Sequence, residues 1–233
     1  MSDLTISGQR GTAETRPADT TPGAARHTPD TTPLRVAVVL ASVRAARFGP
    51  VVAGWFARQA ARRPDVTVDV VDLAGLAGIG GVDTAVVAPA NTSTADAADT
   101  GPMTWESFAD RVGAADAVVI VTPEYNHSFP GPLKTAVDAL GRQWHAKPVG
   151  FVAYGGMSGG LRAVEALRVV FSELHAVTIR DTVSFHNAWS RFGADGEPLD
   201  PDQVNAAATT LLDQLCWWGS ALRDRRRTHP YQR

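Results

Sequence analysis

The stretch Pro123-Glu124-Tyr125-Asn126-His127-Ser128-Phe129-Pro130-Gly131-Pro132-Leu133-Lys134-Thr135 carries residue types suited to holding a flat ring with polar edges. It supplies an aromatic side chain at Tyr125, an amide at Asn126, and backbone N–H groups stiffened by Pro123, Pro130 and Pro132. A second loop, Ser42-Val43-Arg44-Ala45-Ala46-Arg47-Phe48-Gly49, precedes a helix that opens at Pro50. Backbone N–H groups at a helix start, the Ser42 hydroxyl and the guanidiniums of Arg44 and Arg47 make a cradle for a phosphate dianion. A third loop, Tyr154-Gly155-Gly156-Met157-Ser158-Gly159-Gly160, lets backbone come close to a ring edge, because glycine carries no side chain and tolerates positive φ.

Each loop alone is also what an ordinary connection looks like: a solvated turn with arginines, a proline-stiffened junction in which Tyr125 packs, a tight glycine turn. Together they describe one ligand with a phosphate at one end and a flat polar ring at the other, which is FMN. The first loop lacks both Gly-x-Gly-x-x-Gly and the Walker lysine pattern, so neither a dinucleotide pyrophosphate nor a triphosphate suits it. His127 reads either as a proton donor to an acceptor or as a turn histidine in contact with backbone or solvent. The remaining histidines are scattered, with no spacing for a metal site.

The elements that position these loops alternate regularly. Leu34 to Ala41 is a nearly unbroken apolar run, as expected of a central parallel strand covered on both faces. A helix follows from about Pro50, with Val51, Trp55 and Phe56 on its core side, and Val66 to Leu73 is a strand nearer the sheet edge. The segment around 74–102 is rich in Ala, Gly, Asp and Thr without periodicity, and a loop of that length is expected to be functional, interfacial or mobile. A short helix capped by Thr104 is predicted over Trp105 to Gly113, then a strand over Ala115 to Thr122 and a helix from Pro132 to about His145. Further strands are predicted over Val149 to Tyr154 and Ala176 to Val183, with a helix from Gly160 to about His175 between them. Asp200-Pro201-Asp202-Gln203 opens the last helix, with Asp200 as cap and a stripe of Val204, Leu211, Leu215, Trp218 and Leu222. Five strands separated by helices predict an α/β doubly wound parallel sheet in the flavodoxin-like order 2-1-3-4-5. That order makes strands 1, 3 and 4 neighbours, so the three chemical loops meet at the switch-point crevice.

In the 233-residue chain, hydrophobic residues at 44% and charged residues at 20% are an ordinary globular balance. The formal net charge of −2 offers no electrostatic reason for a nucleic-acid or anionic-membrane partner. The basic run Arg223-Asp224-Arg225-Arg226-Arg227 reads as a solvated helix end that complements the dipole. Cys216 is the only cysteine, so no intramolecular disulfide forms; a reducing compartment and a packing role are expected. No apolar stretch approaches the roughly 20 residues of a membrane span, and the N-terminus lacks a signal-peptide core, so a cytoplasmic protein is expected. Residues 1–33 read as a disordered extension, 34–227 as one domain and 228–233 as a flexible tail.

The motifs Ala-Ser-Val-Arg, Pro-Glu-Tyr-Asn-His-Ser-Phe-Pro-Gly-Pro-Leu-Lys and Tyr-Gly-Gly-Met-Ser-Gly-Gly-Leu-Arg resemble those of the NADPH-dependent FMN reductases of flavodoxin-like fold, with their azoreductase and quinone or chromate reductase relatives. The resemblance covers Leu34 to about Arg223, with Ala41 where the family usually has glycine. It implies that Ser42, Arg44, Arg47 and Gly49 hold the FMN phosphate, with Phe48 beside them. It implies that Pro123, Glu124, Tyr125 and Asn126 line the ring and ribityl chain. Gly155, Gly156, Ser158 and Gly159 would then face the pyrimidine edge, with Tyr154 and Met157 completing the set. The implied activity is hydride transfer from NADPH or NADH to bound FMN, then two-electron reduction of a small acceptor such as a flavin, quinone or azo compound. No catalytic acid–base pair is expected, since the flavin carries the chemistry. A homodimer or homotetramer is the implied assembly. The competing readings are a flavodoxin-type electron carrier that does not oxidise NAD(P)H, and a non-redox doubly wound regulator. The carrier would usually be strongly acidic, and the regulator would need acidic residues where Ser42 and Pro123 stand.

Overall fold

The computed structural model describes residues 31–80 and 102–232. The expectations for the N-terminal extension and for the long loop around 74–102 therefore fall largely outside the described residues. Five strands form one parallel sheet in the order β2-β1-β3-β4-β5, as the alternation predicts. They are β1 (Leu34–Leu40), β2 (Val66–Asp72), β3 (Ala117–Pro123), β4 (Pro148–Gly155) and β5 (Val177–His186).

Side chains alternate across a pleated strand, so each apolar run feeds two cores at once. Val36, Val38 and Leu40 of β1 join Val119 and Val121 of β3 on one face, against Trp55 and Phe56 of α1 (Gly49–Ala61) and Leu211 and Leu215 of α5 (Pro201–Thr228). Ala37, Val39, Val118 and Ile120 face the other way, toward α2 (Trp105–Ala114), α3 (Gly131–Asp138) and α4 (Leu161–Glu173). Every residue of β3 and β4 is buried.

Several boundaries differ from the expectations, each for a local reason. Helix α3 stops at Asp138 instead of continuing to about His145. Its Val137 carbonyl accepts from the indole Nε1 of buried Trp144 at 3.1 Å, taking the acceptor that a continuing helix would give to Gly141. Strand β5 runs on to His186, three residues past the expected end, and carries Ser184, Phe185 and His186 to the carboxyl edge. Thr104 caps α2 by accepting from Ser107 N–H, whereas Asp200 stands at the α5 cap position without a side-chain capping bond. The buried stripe of α5 ends on Gly219 and Arg223, not on Trp218 and Leu222. A β-carbon on Gly219 would come within 3.2 Å of Leu34 Cδ1, so the helix backs closely onto β1 there and Trp218 turns outward. Cys216 packs partly buried against the same core, and burial pushes its thiol up to about 11, so it stays protonated.

The basic run near the chain end is not simply a solvated helix end. Arg223 is buried, donates to the Thr32 carbonyl at 3.0 Å and lies 3.6 Å from Asp116. Arg226 reaches the Ala146 carbonyl and lies 3.7 Å from Asp116. Arg225 and Arg227 remain exposed. Beside them Lys147 is buried and donates to the carbonyls of Val112 and Gly113, which end α2. Burial, with the Arg226 charge, lowers the Lys147 ammonium to about 7. Its ordinary value is 10.5, so between pH 7 and 10.5 the unfolded chain binds a proton that the folded chain lacks. Unfolding free energy should therefore rise with pH across that window, by up to about 1.4 kcal/mol per unit. Urea unfolding at pH 7 and pH 9 is expected to show this rise in the native chain and a flatter profile in Lys147→Met.

Candidate functional site

The sheet order brings the ends of β1, β3 and β4 side by side, and the loops after them form one continuous edge. The first loop is braced from within. Arg47, nearly buried, lies bidentate on Asp72 at 2.7 and 2.5 Å and donates to the Ser42 carbonyl at 2.5 Å. Asp72 ends β2 opposite Leu40 of β1, so the strand register delivers this carboxylate to the loop. Arg47 thus holds the shape of the loop, while Arg44 stays exposed, its guanidinium 3.8 Å from the centre of the Tyr125 ring. Among the described residues no carboxylate pairs with Arg44. Phe48 turns its ring inward, edge to face against Tyr154 and Phe192. Gly49 sits where a β-carbon would come within 2.6 Å of Leu40 Cδ1 and 2.7 Å of the Tyr154 hydroxyl oxygen, so any larger residue would have to displace both side chains.

The second loop leaves β3 at Pro123, paired with Tyr154 of β4. Tyr125 and Ser128 exchange backbone hydrogen bonds at 2.9 and 3.0 Å, closing a two-residue turn whose central residues, Asn126 and His127, have φ of 48° and 73°. Positive φ at both central positions marks the type I′ turn, which asparagine tolerates well and histidine less so. The turn stands Tyr125 upright toward the first loop, and its hydroxyl shares a 2.8 Å hydrogen bond with Ser42. His127 is exposed at the turn tip. Glu124 points the other way, accepting from the Arg162 backbone N–H at 3.2 Å and from its guanidinium at 3.0 Å. Burial works to raise the Glu124 carboxyl, but hydrogen bonds from Ser158 and Arg162 outweigh it and leave the group below its ordinary range.

The third loop is held from two sides. Glu124 ties its far end through Ser158 and Arg162, and β5 ties its middle. Ser184 donates to the Gly159 carbonyl at 2.9 Å, His186 Nδ1 donates to the Met157 carbonyl at 2.7 Å, and Asn187 N–H donates to the Gly156 carbonyl at 2.9 Å. Gly159, at φ 63°, leaves no room for a side chain, since a β-carbon would fall inside contact distance of Ser184 and His186. Met157 is 91% exposed.

Reasoning from sequence named Ser42, Arg44, Tyr125, Glu124 and the glycines, and the structure brings them to one edge. It left Asp72 unnamed, quoted Arg162 only as the end of the glycine-loop motif, and read Ser184 to Phe192 only as a stretch that shapes the substrate side, a subunit contact or the core. Three features of the edge suit FMN. The helices after β1 and β3 begin without a side-chain cap, so their N-terminal N–H dipoles face the edge, whereas at the start of α4 Glu124 already takes the Arg162 N–H. Arg44 offers a cation beside Ser42 that no carboxylate among the described residues neutralises. The buried Tyr154 hydroxyl finds no hydrogen-bond partner among the described residues, and burial keeps it a neutral phenol well above its ordinary value. Clusters of histidine, cysteine and carboxylate that could hold a metal ion are not found among the described residues.

The sequence model of the family described as NADPH-dependent FMN reductase matches residues 34–190. An NAD(P)H-dependent FMN reductase of Saccharomyces cerevisiae is 33% identical over 147 residues, 60% of this chain and 75% of the relative. An FMN-dependent NADPH-azoreductase of Staphylococcus haemolyticus is 32% identical over 115 residues, 47% of this chain and 60% of the relative. Among solved structures, the flavoenzyme NAD(P)H:(acceptor) oxidoreductase of Paracoccus denitrificans superposes with a TM-score of 0.56 at 24% identity, over 81% of this chain and 98% of that one, which shows the shared fold. With the braced loop before α1, the Tyr125 turn and the glycine loop on the edge that this fold reserves for ligands, the chain belongs to the NADPH-dependent FMN reductase family.

Proposed function

We propose that the protein is an FMN-containing oxidoreductase that takes hydride from NADPH or NADH and reduces a small acceptor, such as a flavin, quinone or azo compound. The observation that carries this reading is the bridge from Ser42 to Tyr125 beneath Arg44, which joins a phosphate-suited loop to a ring-suited one. Arg44, the Ser42 hydroxyl and the N–H groups at the start of α1 would hold the phosphate. Arg47 keeps that loop in shape from its ion pair with Asp72. Pro123, Glu124, Tyr125 and Asn126 would line the ring and ribityl chain, and Gly155, Gly156, Ser158 and Gly159 the pyrimidine edge. When bound, FMN supplies the two-electron chemistry between NAD(P)H and the acceptor. The chain's own part is to position the ring, exclude water from one face and aim N–H dipoles at the edge where negative charge develops. A homodimer or homotetramer in the cytoplasm completes the proposal; the single, protonated Cys216 fits a reducing compartment. Among the described residues, no helix is long and apolar enough to cross a membrane.

Purified protein, alone or after addition of FMN, should show flavin absorbance that bleaches anaerobically with NADPH or NADH and sustains steady NAD(P)H consumption with a quinone. Protein that stays colourless with added FMN defeats the proposal, and bleaching without turnover would mark a carrier instead. Arg44→Ala should weaken FMN about ten- to hundredfold, the scale of a lost charge-assisted phosphate contact, and leave riboflavin binding unchanged. Glu124→Gln frees the glycine loop, so it should weaken FMN and riboflavin alike, by about tenfold. Flavin fluorescence titrations of the two variants separate the phosphate end of the site from the ring end.

A further inference from the structure

Strand β5 ends in a rigid turn that buries one neighbour and presents the next. Asn187, at φ 49°, reverses the chain, and Ser190 N–H and Oγ both return to the Asn187 carbonyl at 2.9 Å. The turn buries Ala188 completely and leaves Trp189 64% exposed. An indole is among the costliest side chains to leave in water, and here a fixed backbone holds it there. Its position is specific: a β-carbon on Gly156 would come within 3.9 Å of Trp189 Cη2. The next residue of that glycine loop is Met157, the most exposed large apolar side chain among the described residues at 91%. Hydrogen bonds from Asn187 N–H to the Gly156 carbonyl and from His186 to the Met157 carbonyl lock loop and turn together. A flat, rigid face and a soft, adaptable thioether therefore flank the glycine loop at the same sheet edge.

We infer that Trp189, with Met157 beside it, is the stacking platform that selects flat, fused-ring aromatic acceptors over smaller ones. The indole face offers offset-stacked contact to any planar π-system, and Met157 adapts to its outline without demanding a particular substituent. No polar side chain is needed for this selection, so it discriminates by ring area and shape. The inference rests on the FMN reading above and assigns the acceptor side of that site.

The test uses FMN-loaded protein and two readouts. In the first, a redox-inert naphthalene carboxylate and its saturated decalin counterpart are titrated by calorimetry. Trp189→Ala and Trp189→Leu should each weaken the naphthalene probe about five- to tenfold, Trp189→Phe should retain most of the affinity, and the decalin probe should scarcely change. In the second, the ratio of KM for a naphthoquinone to KM for benzoquinone should rise by a similar factor in Trp189→Leu, which keeps apolar area but loses the flat face. FMN affinity and mass by light scattering are recorded for every variant. Equal affinities of native and variant protein for naphthalene overturn the inference, as does equal weakening of both probes. A change in oligomeric mass on substitution also overturns it, because a second copy of the chain would then be what covers the indole. Failure of the native protein to bind FMN would instead remove the reading on which the inference stands, a result separable from all of these.

Discussion

Parallel strands cannot be joined by a tight turn, so every connection in this sheet crosses one face and both faces end up covered. The whole molecule depends on that constraint. It requires β3 and β4 to be apolar on both sides, and every residue of both strands is buried. It also places every strand's carboxyl end on one edge and every crossover return on the opposite edge. The two central strands leave little room for polar groups, so the chemistry collects at their ends. The loops after β1, β3 and β4 become neighbours because the strands must be, and no residue in them has to arrange it.

Once adjacent, the loops are fastened to each other by a short chain of polar contacts. Asp72 holds Arg47, Ser42 holds Tyr125, Glu124 holds Arg162, and Ser184 holds Gly159. Each link joins residues far apart in sequence, so each exists only in the folded state. An exposed ion pair contributes little to stability, but Arg47 and Glu124 are both nearly buried, and removing either partner would strand a desolvated charge. The same links explain how the backbone holds positive φ at Asn126, His127 and Gly159 without drifting to an easier conformation. A site fixed before its ligand arrives loses less entropy on binding, which is the advantage of bracing loops that would otherwise be mobile.

The opposite edge shows what the same residue types do when they serve the fold. Lys147, Asp116, Arg223 and Arg226 gather where α2 ends and α5 passes β1. Lys147 caps the carbonyls that end α2, while the two arginines reach the loop carbonyls of Thr32 and Ala146 and meet one carboxylate. Arg44 differs in having an aromatic face beside it and no carboxylate among the described residues. That contrast in partners, not the presence of arginine, is the ground for proposing Arg44 as the phosphate-side cation and leaving the others to the fold.

Periodicity and composition were enough to predict a doubly wound parallel sheet, with 2-1-3-4-5 the order expected for five strands, because burial on both faces leaves a nearly continuous apolar run in each central strand. They also picked out Ser42, Tyr125 and the glycine loop, since each loop alone could be an ordinary connection but the three together at neighbouring strand ends describe one ligand. Element ends were less legible: α3 stops where the Trp144 indole takes a helix carbonyl, and the α5 stripe bends to Gly219 because β1 lies close. Local sequence does not record either contact. Nor could it tell that Arg47 and Arg44 find different partners, although they sit three residues apart in one loop. That was decided by the β1–β2 register, which brings Asp72 to one guanidinium, and by the Asn126–His127 turn, which brings the Tyr125 ring to the other. A chain by itself determines which groups are available and which faces must be buried. Which of those groups meet is settled only when the strands pair, because the partners lie on different elements well separated in the sequence.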